Sequence, residues 1–390
     1  MFMLLFLCTI FAWLFIAASL AGSAYQLLGT FAVSRFVARP LVSPAERPPV
    51  TLLKPLCGDE SGLYQNLRSF CELHYPAVQL VFGVRNPQDP AIAVVDRLRA
   101  DFPDADITLA SDPTLHGSNY KVSNLINMMP AAKHDILILS DSDMRVAPHY
   151  LDTVVGALLR PGVGVVTCLY TGAPTRGLWS ALGAAGINFW FLPSAMVSKL
   201  LGGKTGCYGA TIALRRETLD AVGGFDAFKD QLADDYELGA AVERTGQRIA
   251  VARYFPSTTA DEPTFHALYQ HELRWARTIR NTAPWGYAGS AVTYPVPLAI
   301  VGAALGSVAG IGWPMLLSTA ILAIICRLAL VARVARALGL AQPDWWLFLP
   351  RDVLSLVILV TAFLGRSVSW RNSAFRVDSV GALFEETDGI

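Results

Sequence analysis

From Phe2 to Val33 the chain reads FMLLFLCTIFAWLFIAASLAGSAYQLLGTFAV, apolar and free of charge, and the first charged residues, Arg35 and Arg39, come after it. About 20 such residues cross a bilayer, so a transmembrane helix is predicted here. A cleaved leader would carry its basic residues ahead of a shorter apolar core. With the basic residues behind it, residues 1–34 are expected to anchor the chain, with residue 40 onward in the cytoplasm.

The apolar pattern returns in the last third. VTYPVPLAIVGAALGSVAGIGW and MLLSTAILAIICRLALVARVARAL stand back to back around Pro314. Arg327, Arg333 and Arg336 place the end of the second run inside, as in a hairpin that starts and finishes in the cytoplasm. A third run, Val353 to Gly365, is shorter, and the tail behind it, GRSVSWRNSAFRV, is basic again. Both its ends are then expected inside, which a re-entrant or interfacial segment satisfies. Residues 286–370 are assigned to the membrane and 371–390 to a tail.

Between these lies a more polar block, residues 46–285. Strand-like PVTLLKPL, VQLVFGVRN, ADITLAS and DILILSDSD alternate with helix-like GLYQNLRSFCEL, DPAIAVVDRLRADFP and SNYKVSNLINMMPAA. Such alternation predicts an α/β fold, a parallel-type sheet with helices on both faces. Ligands of such sheets bind outside the carboxyl ends of the strands, where ILILS meets Asp141-Ser142-Asp143. As a strand end, the triplet would point both carboxylates to one side. Two readings stand: a polar turn or helix N-cap, or a seat for a hard divalent cation that also touches substrate phosphates.

Composition narrows the class. Only 16% of residues are charged and 53% are hydrophobic, which fits membrane segments. A net charge of zero offers no field to attract nucleic acid. The six cysteines are scattered without a CxxC pair, as expected of free thiols in a reducing compartment. Arg outnumbers Lys, as in GC-rich bacterial genomes.

Other candidate groups also carry two readings. Asp234-Asp235 in LADDYELGAAVERTG suit a helix dipole, or one of them is a general base. Arg274, Arg277 and Arg280, beside Trp275, form either a charged helix face near headgroups or clamps on a diphosphate. Lys121 is either solvated or serves that diphosphate. LGGKTGCYGATIALRRETL, with Lys204, lacks the P-loop spacing and reads as a flexible loop near a substrate. GLWSALGAAGINFWFLPSAMVSKLL is a buried helix or an interfacial one. His266 and His271 miss the zincin spacing, and no GxSxG elbow occurs.

Taken in order, LLKPLCG, CELHYPAVQLVFGVRNPQDPAI, KVSNLINMM, ILSDSDMRV, LADDYELG and HELRWART resemble the membrane-anchored glycosyltransferases of family 2 type, in their ceramide-glucosyltransferase-like branch. Within it the chain looks most like the bacterial hopanoid-biosynthesis members. The resemblance implies a glycosyltransferase A-like fold and inverting transfer of a sugar, N-acetylglucosamine in that group. The donor would be a UDP-sugar and the acceptor a membrane lipid, a hopanoid polyol such as bacteriohopanetetrol, with Mg²⁺ or Mn²⁺ as cofactor. It implies nucleotide binding by Asp89, a DxD pair in Asp141 and Asp143 for sugar nucleotide and metal, and Asp235 as catalytic base. Arg274 and Trp275 match the RW of the family's (Q/R)xxRW, with His271 in the leading position. The implied place is a bacterial inner membrane, catalytic domain facing the cytoplasm. Ceramide glucosyltransferase using UDP-glucose is the alternative; a processive polysaccharide synthase would need more spans. A degenerate scaffold is disfavoured by Asp143, Asp235 and the RW pair together.

Overall fold

The computed structural model describes residues 2–203, 206–341 and 344–365, and beyond them the backbone of 367–370, 373–377 and 383–385. Lys204 and most of the tail lie outside the described residues. In chain order the elements are α1 (Phe2–Val37), β1 (Val50–Pro55), α2 (Leu63–Cys71), β2 (Val78–Val84), α3 (Ala91–Asp101), β3 (Asp106–Ser111) and α4 (Tyr120–Met128). Next come β4 (Ile136–Leu139), β5 (Met144–Arg145), α5 (Tyr150–Leu158), β6 (Val163–Cys168), β7 (Thr171–Pro174), α6 (Gly177–Gly186) and α7 (Leu192–Leu200). They are followed by β8 (Ile212–Arg215), α8 (Arg216–Ala221), α9 (Asp234–Arg244), β9 (Arg248–Ala252), β10 (Ser257–Ala260) and α10 (Phe265–Thr282). The chain continues with α11 (Pro284–Gly289), α12 (Pro295–Val308), α13 (Trp313–Leu338) and α14 (Phe348–Ala362). Three short strands, β11 (Ser367–Trp370), β12 (Ser373–Val377) and β13 (Leu383–Glu385), close it.

The chain divides into two compact units. One, the membrane unit, is residues 1–38, 182–203 and 262–369; the other, the sheet unit, is 39–181, 204–261 and 370–390. This division differs from the sequence boundaries, because 182–203 and 262–285 leave the polar block that runs from 46 to 285. Their partners are distant in sequence, so no local composition marks the change.

In the sheet unit, seven strands run in the order β3-β2-β1-β4-β8-β6-β9. The pairs β3-β2, β2-β1 and β1-β4 are parallel, as the alternation predicts. β8 lies antiparallel to both β4 and β6, so the sheet is mixed. Side-chain alternation distributes the core over two faces. Val50, Leu52, Ile136 and Ile138 pack with Leu63, Leu67, Val95 and Tyr150 on one side. Leu53, Leu137 and Leu139 pack with Val122, Leu125, Leu238 and Val242 on the other. Each such aliphatic side chain contributes roughly 1.5–3 kcal/mol when fully buried. Strand order reverses at β1, with β2 and β3 on one side and β4 on the other, the kind of switch point outside whose strand ends ligands of such sheets bind.

In the membrane unit α1 packs along α12 and α13. Polar residues of α1 fasten the contact: Ser19 Oγ donates to the Pro295 carbonyl at 2.9 Å and Gln26 Nε2 to the Thr293 carbonyl at 2.8 Å. Among the described residues four helical stretches are long and apolar enough to cross a membrane: Phe2–Val37, Gly177–Leu200, Trp313–Leu338 and Trp345–Ala362. The run around residues 292–313 is shorter than expected, because α12 holds 14 residues and bends by 69° from the segment Pro284–Thr293. α13 ends where Gly339 takes a left-handed φ of 63°, a conformation that costs glycine no Cβ clash.

Candidate active site

The site is built where the strand order reverses. β4 ends at Leu139, and the Ser140 amide still bonds the Leu53 carbonyl of β1 at 3.1 Å. The next residues leave the strand in a turn closed by the Met144 amide on the Asp141 carbonyl at 3.3 Å. The Asp141-Ser142-Asp143 triplet is therefore a turn into β5 and not a strand end. The turn, not the pleat, sets where its two carboxylates point.

Asp143 reaches a second, three-stranded sheet of order β5-β10-β7, where Thr258 Oγ1 on β10 donates to its Oδ2 at 2.6 Å. Its Oδ1 is buried and has no hydrogen-bond partner among the described residues. Burial, and next the charge of Asp141, push the Asp143 carboxyl up to about 6. An acceptor left unsatisfied costs about 1–3 kcal/mol, more when charged.

Lys121, on the first turn of α4, bonds Asp141 Oδ1 at 2.6 Å and lies 3.9 Å from Asp234 Oδ2. The helix is positioned by Asn119, whose side-chain oxygen caps the Lys121 and Val122 amides. Burial opposes the Lys121 charge, yet Asp141 and Asp234 outweigh it and hold the ammonium above the ordinary lysine range. Lys121 is thus committed to the carboxylate cluster rather than simply solvated.

Asp235 opens α9 beside Asp234, with Glu237 one turn in, an acidic start that suits the helix dipole. Asp235 Oδ2 accepts from the Gly209 amide at 2.9 Å and Oδ1 from the Tyr236 amide at 2.8 Å. Burial first, then Asp234, raise its carboxyl to about 7. Asp234 is also raised, by burial first, with Lys121 opposing. Gly209 stands among these groups: a Cβ there would lie 3.0 Å from Asp141 Oδ2, 3.4 Å from Lys121 Nζ and 3.6 Å from Asp235 Oδ2. Only a residue without a side chain leaves that centre open.

Lys54 joins the site without a motif to mark it. It is fully buried on β1, with Nζ 2.8 Å from the Asp141 carbonyl, 3.3 Å from Ser140 Oγ and 3.7 Å above the Phe70 ring. Burial pushes it down to about 7, against the pull of Asp141, Asp143 and Glu60. The available signal was a lysine inside an apolar strand, TLLKPL, where a charge needs a partner.

Asp89 is 8% exposed, and its carboxylate accepts from the Gly58 amide at 2.9 Å and the Ala91 amide at 2.9 Å. It ties the loop after β1 to the start of α3. Arg274 and Trp275 belong to α10 in the membrane unit. There His271 Nδ1 lies 2.8 Å from Glu262 Oε1, and its ring meets Trp275 edge-on at 4.6 Å. Glu262 thus partners the residue that departs from the motif.

The cluster suits a divalent cation of the Mg²⁺ or Mn²⁺ kind. Asp143 offers a buried oxygen with no partner among the described residues, and Asp141 lies close enough to repel it. Among the described residues no three His, Cys, Asp or Glu side chains converge as ligands. The arrangement is one in which one or two carboxylates share the ion with substrate phosphates, not a closed protein cage.

Comparison with known proteins agrees with this architecture. The chain is 25% identical over 231 residues to Ceramide glucosyltransferase 1 of Caenorhabditis elegans, covering 59% of this chain and 49% of that protein. It is 31% identical over 115 residues to a ceramide glucosyltransferase of Komagataella phaffii, covering 28% of this chain and 23% of that one. It therefore spans at most about half the length of these curated relatives. Among solved structures, the mannosyltransferase PcManGT of Pyrobaculum calidifontis, in complex with GDP-Man and Mn²⁺, superposes with a TM-score of 0.53. Identity to it is 18%, over 91% of this chain and 98% of that one, a likeness of fold. Residues 13–383 match glycosyl transferase family 21, and the chain belongs to that family.

Proposed function

We propose that this chain is an inverting glycosyltransferase that moves a sugar, N-acetylglucosamine, from its UDP donor to a hydroxyl of a membrane lipid. The acceptor we assign is a hopanoid polyol such as bacteriohopanetetrol, and the place is the cytoplasmic face of a bacterial inner membrane. The observation that carries the reading is the convergence of Asp141, Lys121 and Asp235 on the open centre at Gly209. The ceramide-acting relatives favour a second reading, transfer of glucose from UDP-glucose to ceramide.

In the proposed reaction Asp235 accepts the proton of the acceptor hydroxyl as its oxygen bonds to the anomeric carbon and the bond to UDP breaks. A carboxyl that ionises at about 7 is matched to removing a proton near neutral pH. The Gly209 and Tyr236 amides hold the carboxylate in place. Asp141 and Asp143 would hold Mg²⁺ or Mn²⁺, which when bound offsets charge on the leaving diphosphate. Lys121 fixes Asp141, and Asp89 shapes the loop after β1 that serves the nucleotide. The part of Arg274 and Trp275 in donor binding rests on the resemblance of HELRWART to the family motif.

The test is a transfer assay on detergent-solubilised protein with Mg²⁺, pairing UDP-N-acetylglucosamine or UDP-glucose with a hopanoid tetrol or ceramide, products read by mass spectrometry. An N-acetylhexosaminyl hopanoid supports the first reading. Hexosylceramide alone replaces it with the second. Bound UDP with neither product overturns both acceptor assignments.

A further inference from the structure

We propose that α14 does not cross the bilayer. It lies along the membrane face that carries Arg333 and Arg336, with one apolar stripe seated among the lipid acyl chains. The inference uses the packing of the membrane unit and stands apart from the reaction proposed above.

Length is the first observation. With the turn before it, α14 makes the 18-residue apolar stretch Trp345–Ala362, about 27 Å at 1.5 Å each against about 30 Å of hydrocarbon, of which α14 itself supplies 15 residues, about 22 Å. The second is its neighbour. At the start of α14, Arg351 Nη2 donates to Glu272 Oε2 at 2.7 Å. At its end, Arg280 donates to the carbonyls of Ala362 and Gly365, the latter at 2.9 Å. Between these clamps Ile358, Leu359 and Ala362 pack with Leu273 and Ala276. α10 and α14 thus run side by side in the same direction along most of α14. α10 carries His271, Glu272, Arg274, Arg277 and Arg280 within ten residues, a density that hydrocarbon does not accept. Where α10 stays out, α14 stays with it.

The depth fits. Asp352, near the start of α14, pairs with Arg327 of α13, Nε to Oδ2 at 2.9 Å and Nη2 to Oδ1 at 2.7 Å. Arg327 precedes Arg333 by six residues, about 9 Å along the helix, within the roughly 5–10 Å at which an in-plane helix sits. The exposed face supplies the last observation. Leu349, Val353, Val357 and Val360, spaced by four, four and three, are 43–53% exposed and form one stripe, and Leu364, in the turn just past the helix end, is 78% exposed. Exposed Trp345 and Trp346 precede it, as aromatic residues do at a headgroup boundary. The occupant of this stripe is therefore lipid.

The experiment places single cysteines at the start of α14 and just past its end, Leu349→Cys and Leu364→Cys, in the full chain with its native cysteines replaced. A membrane-impermeant maleimide is applied to intact cells and then to opened membranes, with Trp313→Cys as the control for the far end of α13. The expected result is no labelling of either end in intact cells and labelling of both after opening. Labelling of one end from outside overturns the proposal. If neither end reacts after opening, nitroxides at the same positions decide it: equal shallow depths in one leaflet support it, and depths in opposite leaflets overturn it.

Discussion

Each unit of this protein buries a cluster of charges, and the two clusters are built on opposite plans. In the membrane unit, Arg327 meets Asp352 in a two-pronged pair, both about 3–4% exposed, and Arg351 meets Glu272. The guanidinium of Arg327 also bonds the Phe189 carbonyl. Two cations face two anions and the sum is zero, so the cluster closes in charge, although Arg351 Nε is buried without a hydrogen-bond partner among the described residues. In the sheet unit four aspartates, Asp141, Asp143, Asp234 and Asp235, face two lysines, Lys54 and Lys121, and Asp143 Oδ1 is left without a partner among the described residues. Burial and mutual repulsion there displace Asp143 to about 6 and Asp235 to about 7. A cluster that closes on itself holds helices together. A cluster with surplus negative charge is completed by something that arrives, and perturbed carboxyl groups in a crevice mark such a place.

Removing one charge from each cluster should expose the difference. The largest expected effect is on catalysis: Asp235→Asn should lower the transfer rate by about 10²–10⁴, the usual share of a general base, with UDP affinity nearly unchanged by calorimetry. Loss of UDP binding in that variant would sink the base assignment. In the membrane unit Arg327→Met should leave Asp352 buried without its cation, a loss on the order of 3–5 kcal/mol, read as a large fall in Tm. The double variant Arg327→Leu with Asp352→Leu should recover most of it.

Stability should move the other way in the sheet unit. Asp235 ionises at about 7 in the folded chain, against about 3.9 for an unperturbed aspartate. The folded state holds the proton more tightly between those values, so ionisation of this group removes stability as pH rises from about 4 to 7. Asn does not ionise. Without metal or donor, Asp235→Asn should therefore melt higher than the parent at pH 8 and level with it at pH 4. The gain amounts to about 2–4 °C for each kcal/mol relieved. A lower Tm at pH 8 would place Asp235 with the closed cluster instead.

Much of this contrast could be read from the chain, and the remainder has physical reasons for being hidden. The parallel half of the sheet follows from the alternation of short apolar runs with amphipathic stretches, since both periods are local. The antiparallel β8 does not: the glycine-rich stretch LGGKTGCYGATIALRRETL reads as a flexible loop, yet its Ile212–Arg215 is a strand paired with β4 and β6 and Arg216 opens α8. The glycines ahead of it mask a four-residue run whose partners are distant in sequence. Asp141, Asp143 and Asp235 stood out as carboxylates beside apolar runs. Lys54 and Gly209 did not, because their roles come from groups brought close by folding: Lys54 lies under a carbonyl 87 residues away. The arginines of HELRWARTIRN illustrate the limit again. Arg280 caps the end of α14, a structural use that spacing alone could not separate from a diphosphate clamp.

The smallest effect concerns Asp89, which sharpens the comparison because it belongs to neither plan. Its carboxylate is engaged by backbone amides at Gly58 and Ala91, so it holds a loop and balances no buried cation. Gly58 reaches both oxygens, at 2.9 and 3.1 Å. Asp89→Asn keeps one acceptor oxygen and turns the other into a donor that faces an amide, so the loop after β1 should loosen by about 1–2 kcal/mol. If the loop serves the nucleotide, UDP affinity should fall by about tenfold, equal to roughly 1.4 kcal/mol, while the pH dependence of transfer set by Asp235 stays in place. A fall in Tm with UDP affinity intact would make Asp89 a fastening of the fold alone. A fall in UDP affinity with Tm intact would mean that its carboxylate meets the nucleotide itself, beyond the backbone amides it holds here.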